Sequence, residues 1–126
     1  MTTTQLFNGV TGTLTGSNNL YTGTLANTTS SINVLLRVKS LKAAGLTGVS
    51  LYFMTSPTDL SALTINQLKA LGNGVINDIR LNPTQIPGEY VNKSGELYTI
   101  DGVYFAAWFE TDVSSAVETS AWANEY

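Results

Sequence analysis

The carboxylates are the groups of this 126-residue sequence best suited to acid–base chemistry, because it contains no histidine and no cysteine. Glu96 and Glu110 flank a turn-forming Asp101-Gly102 pair, so a hairpin could bring the two acids close together. Two acids suffice for glycoside hydrolysis, but a hairpin edge lacks the deep cleft that raises a carboxyl pKa. We therefore interpret both as solvated side chains and predict no catalytic residue and no enzyme activity.

Metal and nucleophile chemistry is limited by the same composition. Without imidazole or thiolate the chain cannot build a Ser-His triad, a cysteine nucleophile or an ordinary zinc site. Asp59, Asp78, Asp101 and Asp112 are too dispersed for a loop-type calcium site, which needs several oxygen ligands within a short run. A calcium site built from separate loops stays open, and we predict no cofactor.

The aromatic residues are candidates for binding rather than catalysis. An exposed aromatic face can stack on the apolar side of a sugar ring or anchor a protein partner. The competing interpretation is packing in the core. Trp122 is the best candidate for exposure, because it lies in a weakly patterned tail. The candidate partner-binding residues are Trp122, Tyr126, Tyr104 and Trp108, and Tyr98 is a further candidate for sugar binding.

The charge balance argues against nucleic acid as a ligand. The net charge is −3 and the sequence pI is near 4.6, whereas phosphate binding needs clustered basic residues. Arg37, Lys39 and Lys42 form a basic cluster that we interpret as a solvated strand edge. No apolar run approaches the ~20 residues of a membrane helix, so no membrane contact is expected. The first residues lack the pattern of a signal peptide.

These side chains must be positioned by one mainly β domain. Hydrophobic residues make up 43% of the chain and charged residues only 12%, and the many threonines suit strands. We divide the domain into a Gly/Thr-rich hairpin or arm (1–30), a β core (31–111) and a C-terminal arm (112–126). The first part contains the near-repeat Thr11-Gly-Thr-Leu-Thr15 and Thr22-Gly-Thr-Leu-Ala26 around a turn-like stretch.

Period-two alternation predicts the central strands. The runs Ile32–Val38 and Val49–Phe53 alternate apolar residues on one face, and we expect them to pair as antiparallel neighbours. Thr64 and Gln67 have the spacing of a capping box and predict a helix over about Ile65–Leu71. Val75–Leu81 is a further predicted strand. The fold prediction is an antiparallel β-sandwich or jelly roll. Its predicted core contains Ile32, Val34, Leu36, Val49, Leu51, Phe53, Val103, Phe105 and Phe109.

The profile resembles small structural proteins of bacteriophage virions, in particular capsid decoration (cement) proteins. The resemblance lies in the start of the chain, the lack of Cys and His, the stretch Thr11-Gly-Thr-Leu-Thr15 and the aromatic tail Ser120–Tyr126. It implies a homo-oligomer, with a trimer favoured, that binds the major capsid protein. It also implies a protein located in the virion and made in the host cytoplasm without a signal peptide. The alternative is a carbohydrate- or receptor-binding module of a phage tail or fibre, and a third possibility is a small hydrolase.

Overall fold

A computed structural model describes eight segments of the chain: residues 2–12, 20–26, 31–40, 47–71, 75–81, 88–96, 102–111 and 117–126. These segments contain eight strands and one short helix. The elements in chain order are β1 (Thr2–Gly12), β2 (Tyr21–Thr24), β3 (Ile32–Ser40), β4 (Thr47–Ser56), α1 (Ile65–Ala70), β5 (Val75–Leu81), β6 (Tyr90–Ser94), β7 (Tyr104–Thr111) and β8 (Val117–Glu125). None of the helical structure in these segments is long and apolar enough to cross a membrane.

The strands form two four-stranded antiparallel sheets that pack face to face. Sheet A has the order β1-β8-β3-β6, and sheet B has the order β2-β7-β4-β5. Apart from β4 and β5, which are neighbours in sheet B, consecutive strands alternate between the two sheets. This arrangement is the jelly roll, in which eight strands in two Greek keys make two packed sheets. The predicted mainly β sandwich with one short helix is therefore confirmed.

The core lies between the sheets and is made of the predicted alternating positions. Eight of the nine predicted core residues are buried, whereas Val103 is half-buried because it precedes β7. Its carbonyl oxygen accepts a hydrogen bond from Leu25 N at 2.7 Å. Phe7 joins the core through Phe109, with ring centroids 5.5 Å apart. Burial of large apolar side chains at this interface is the main source of stability.

The predicted pairing of the first two central strands is wrong. The two edges of β3 are occupied by β8 and β6, and those of β4 by β7 and β5. The two strands instead lie in opposite sheets of the sandwich. Alternation indicates which face of a strand is buried, but the same pattern arises whether two strands lie side by side or in opposing sheets.

The predicted C-terminal arm is part of the core. β8 lies between β1 and β3, and its inward residues Val117, Ala121 and Ala123 are at most 1% exposed. These residues are small and interspersed with Ser and Thr, so their alternation gives a weak apolar signal. Residues 117–125 are therefore an interior strand and not an arm.

The N-terminal part also differs from the predicted hairpin. β1 pairs with β8 in sheet A, whereas β2 pairs with β7 in sheet B. The turn-like stretch of the near-repeat lies outside the described residues. Each of these two strands forms an edge of its own sheet, so β1 and β2 do not pair with each other as the two strands of a hairpin.

For the predicted hairpin at Asp101-Gly102, the structure describes the strand that follows the turn, β7. Residues 97–101 lie outside the described part, but over Tyr104–Ala107 both edges of β7 are taken by β2 and β4. Gly102 has a packing role: a Cβ there would overlap with the backbone of Ser56 and Pro57, so glycine lets the chain pass close to the end of β4.

The helix and its predicted cap are confirmed. Gln67 N donates to Thr64 Oγ1 at 3.2 Å, and Thr64 N donates to Gln67 Oε1 at 2.9 Å. This reciprocal pair satisfies two backbone donors at the start of α1. The helix ends at Ala70, one residue before the predicted end, and β5 has the predicted bounds.

Asn77 fastens the two sheets together beside β6. Its Nδ2 donates to Val34 O at 3.1 Å and to Lys93 O at 2.8 Å, so a side chain of sheet B bonds backbone of two strands in sheet A. Gly95 N also donates to Val34 O, at 3.0 Å. These bonds hold the short edge strand β6 in place, which matters because β6 carries residues of the candidate site.

Candidate functional site

The outer face of sheet B is covered by α1 and the segment before it. Met54, Ala106 and Trp108 point outward from this sheet and are buried beneath Leu60 and Leu68 in a second apolar cluster. They are therefore core residues on the outer side of sheet B, covered by the helix and the segment before it.

Trp108 belongs to this covered face and is fully buried. Its ring stacks on Tyr52 with centroids 5.0 Å apart and planes 4° from parallel, and its Nε1 donates to Glu110 Oε2 at 3.3 Å. The prediction that Trp108 contacts a partner is corrected, since the competing interpretation of core packing holds for it.

Glu110 ties the helix to β7. Lys69 Nζ lies 2.6 Å from Glu110 Oε2, and it also lies 5.2 Å from the centroid of the Tyr52 ring. The hydrogen bond to the Glu110 carboxylate raises the pKa of Lys69 above its ordinary value. Glu96 follows β6 in sheet A, whereas Glu110 lies in sheet B, so the two acids are not paired across a hairpin. Lys69 and Glu110 therefore form a structural ion pair.

A shallow pocket of about 500 Å³ lies beside α1, lined in part by Met54, Ser56, Asp59, Leu60 and Leu71. Asp59 is its acid, and Ser61 N donates to Asp59 Oδ1 at 2.8 Å. That bond lowers the pKa of the Asp59 carboxyl, so the group is a poor proton donor at neutral pH. Within the described segments no three acidic residues cluster as a metal site would require.

The outer face of sheet A is different, because no described helix or strand packs over it. We call this surface the open face. Its side chains alternate with the buried positions of β3 and β8 and are mostly polar or aromatic. The open face includes Gln5 of β1, Ser120 and Trp122 of β8, Arg37 and Lys39 of β3, and Tyr90 and Asn92 of β6.

Arg37 lies at the centre of the open face, between two aromatic rings. Its guanidinium carbon is 5.1 Å from the centroid of Trp122 and 5.2 Å from that of Tyr90. Arg37 pairs with Ser120 on one side and Asn92 on the other, so the two rings occupy diagonal positions on the flanking strands. Its Nε donates to Asn92 Oδ1 at 2.7 Å. Three strands thus fix one cation in a defined orientation.

The β1 side of the open face is shaped by a bulge. Gly9 has φ of 60°, a conformation that favours glycine, and its N–H donates to Ser120 Oγ at 2.8 Å. Ser120 Oγ in turn lies 3.3 Å from Asn8 Oδ1. Gln5, opposite Trp122, donates from Nε2 to Ala121 O at 3.2 Å. Amide and hydroxyl groups are therefore held close to the Trp122 ring.

The structure separates the predicted aromatic site residues from one another. Trp122 is half-buried on the open face, and Tyr126, just beyond β8, is 57% exposed. Tyr104 is half-buried at the start of β7 in sheet B, and Tyr98 lies outside the described residues. Of the four candidate partner-binding residues, which also include Trp108, Trp122 alone contacts the Arg37 guanidinium through its ring in the described structure.

Sequence reasoning missed the roles of Arg37 and Tyr90. The basic cluster is not the predicted strand edge, because β3 is an interior strand and Arg37 and Lys39 stand on a sheet face instead. Lys42 lies outside the described residues. Tyr90 follows the turn-forming Pro87-Gly88 and has no alternating pattern around it. Only the pairing of β3 with β6 brings it beside Arg37.

Comparisons with known proteins find similar folds among solved structures. No protein-family model matches the chain, and no curated protein sequence matches it significantly. The sugar-binding C-terminal domain of EclA matches with a TM-score of 0.56 and 12% identity, covering 98% of this chain and 77% of that one. The CBM36-1 domain of a xylanase from the hindgut metagenome of Trinervitermes trinervoides matches with a TM-score of 0.55 and 12% identity, covering 99% and 97%.

A third match is a carbohydrate-binding module CBM36 in complex with calcium and xylotriose. Its TM-score is 0.51 at 12% identity, and each chain is covered completely. An insecticidal delta-endotoxin from Bacillus thuringiensis also matches, with a TM-score of 0.54 and 10% identity over 91% of this chain and 19% of that one. At such low identity the likeness shows the fold alone. The chain is therefore a jelly-roll β-sandwich similar to carbohydrate-binding modules.

Proposed function

We propose that this chain is a non-catalytic carbohydrate-binding module and that the sugar binds on the open face. The observation that carries the proposal is the cluster of Trp122, Arg37 and Tyr90 on a sheet surface over which no described element packs. This function is the carbohydrate-binding alternative that the sequence leaves open. The surface includes Trp122 from the predicted C-terminal arm, together with Arg37 of β3 and Tyr90 of β6, which were not predicted as binding residues.

The chemistry of the open face suits a sugar. An aromatic ring offers an apolar platform for the C–H groups of a pyranose, and amide, hydroxyl and guanidinium groups hydrogen-bond its hydroxyls. Gln5 and Asn92 are exposed and provide such polar groups beside the rings, and their hydrogen bonds to Ala121 O and from Arg37 Nε hold them in position. A preorganised surface loses less conformational freedom on binding, which favours affinity.

The comparisons support this function better than the capsid-decoration function. The matched EclA domain is named as sugar-binding, and the matched CBM36 module was solved with xylotriose. None of the reported matches is a capsid protein. The major capsid protein as partner, the trimer and the location in a virion stay predictions. We extend the sugar-binding role to this chain as part of the proposal.

The test is titration calorimetry of the full chain with two groups of oligosaccharides. One group is neutral, with xylotriose and cellotriose, and the other carries glucuronic acid. Trp122→Ala should weaken binding by about 30-fold or more, because losing a central aromatic anchor commonly costs at least about 2 kcal/mol. Tyr104→Ala, which removes a half-buried aromatic from sheet B, is the matched control and should bind as the wild type does.

Thermal unfolding of both variants checks that any loss of binding is local. Failure of every oligosaccharide to bind would overturn the proposal. Equal affinities of the wild type and a folded Trp122→Ala variant would show that the sugar does not bind on the open face.

A further inference from the structure

We infer that the sugar held on the open face carries an oxyanion, a carboxylate or a sulfate group, and that Arg37 binds it. This inference rests on the proposed function and deepens it, since it names the class of glycan. It starts from the hydrogen bonds that Arg37 makes and those that it leaves available.

The guanidinium of Arg37 is positioned by neutral partners. Nε is engaged by the Asn92 amide oxygen at 2.7 Å, and the two flanking rings restrict its sides. Within the described residues no side-chain oxygen accepts a hydrogen bond from its Nη atoms, and no carboxylate forms an ion pair with it. The fork of N–H donors is thus oriented but unused by those residues.

An oxyanion is the ligand that this fork fits best. Guanidinium groups bind carboxylate and sulfate-like oxyanions through two parallel N–H···O bonds, which are shorter and stronger than neutral hydrogen bonds. A neutral sugar hydroxyl can use one such donor but gains no charge assistance. Because Arg37 is already held in place, little side-chain freedom is lost when the anion binds.

The formal charges around Arg37 are mixed in sign. Lys39 lies two residues further along the same strand, with Nζ 5.5 Å from the Tyr90 centroid. Glu118 of β8 lies opposite Lys39 in the strand register and is the acid nearest to Arg37 in that register. Glu89 precedes Tyr90. The chain as a whole carries −3. Attraction for an anion therefore comes from direct hydrogen bonds to the Arg37 guanidinium and not from the net charge of the surface or of the chain.

The aromatic neighbours distinguish an anionic sugar from other anions. Rings on both sides of the guanidinium provide apolar contact for a ligand that has C–H groups next to its charge, as a uronic acid does. A free phosphate would leave both rings without a contact. A nucleic-acid backbone would need further basic residues that this acidic chain lacks.

The experiment compares matched oligosaccharides on the full chain by titration calorimetry at low salt. The ligands share one backbone: neutral xylo-oligosaccharide, the same with a glucuronic acid branch, and a sulfated form. We expect the better of the two anionic forms to bind at least about tenfold more tightly than the neutral form, and raised salt should reduce this ratio. Comparison of the two anionic ligands identifies which oxyanion is preferred.

Two variants assign the preference to Arg37. Arg37→Gln should reduce the ratio of anionic to neutral affinity to near one, and Arg37→Lys should restore only part of it because Lys lacks the fork. Lys93→Gln is the matched control: it removes the same charge, but Lys93 pairs with Asp78 at 3.3 Å and should leave the ratio unchanged.

The outcomes separate this inference from the proposed function. Equal binding of neutral and anionic forms overturns the oxyanion preference while the sugar-binding function stands. A preference that survives in a folded Arg37→Gln variant overturns the role of Arg37. No binding by any form overturns the proposed function and this inference with it.

Discussion

The outer faces of the two sheets differ sharply although their inner faces follow the same alternating pattern. In sheet B the outward residues Met54, Ala106 and Trp108 are apolar, and α1 with its preceding segment covers them. In sheet A the outward residues around Trp122 are mostly polar, and no described element lies over them. An outward-facing tryptophan is thus a core residue in one sheet and a candidate ligand contact in the other.

The cations of the two faces show the same contrast. Lys69 lies 5.2 Å from the centroid of Tyr52, and Arg37 lies at similar distances from Tyr90 and Trp122. Lys69 is neutralised by Glu110 of its own chain, whereas Arg37 has the neutral Asn92 as its hydrogen-bond partner in the described structure. A cation beside an aromatic ring stabilises the fold when the chain supplies its anion. When it does not, the cation can serve a ligand.

The largest expected effect on stability comes from removing part of sheet A, which carries the open face. Deleting Ala121–Tyr126 takes the second half of β8 from between β1 and β3, which leaves the paired edges of both strands without partners. We expect no cooperative thermal unfolding transition, measured by circular dichroism. A truncated protein that still melts cooperatively near the wild-type temperature would show that sheet A does not depend on this strand.

A smaller effect separates the two tryptophans. Trp108→Ala should lower the free energy of unfolding by about 3–5 kcal/mol, because it leaves a cavity beneath α1. Trp122→Ala should lower it by about 1 kcal/mol or less, since it removes a half-buried ring and its contact with Arg37. Urea unfolding of both variants measures the difference. Equal losses of stability would mean that the open face is packed as the covered face is.

The smallest effect concerns the ion pair on the covered face. Lys69→Met should lower the free energy of unfolding by less than about 1 kcal/mol, because the pair is partly solvated. The folded-state pKa of Lys69 is raised above its ordinary value of 10.5, so its contribution is fully present below that pH. It is lost as pH rises through the raised pKa. Urea unfolding should show that the difference in unfolding free energy between wild type and variant is smaller above pH 10.5 than at pH 7. A difference that stays constant would mean that it comes from packing and not from the ion pair.

Local features of the sequence determined much of the fold. Alternation of apolar residues located β3, β4 and β5, and the Thr64–Gln67 capping box located α1, because strand faces and helix caps depend on neighbouring residues. The same signals identified eight buried core positions. The lack of histidine and cysteine limits the chemistry available to the chain whatever fold it adopts.

The tertiary structure alone decided how these elements pair and which aromatic residues are accessible. β8 is an interior strand because it pairs with β1 on one edge and β3 on the other, although the apolar signal of its small side chains is weak. Trp108 is buried because α1 packs over it, and Arg37 lies between Trp122 and Tyr90 because β3 joins β8 on one side and β6 on the other. Both outcomes depend on contacts between residues far apart in sequence, which local periodicity does not encode.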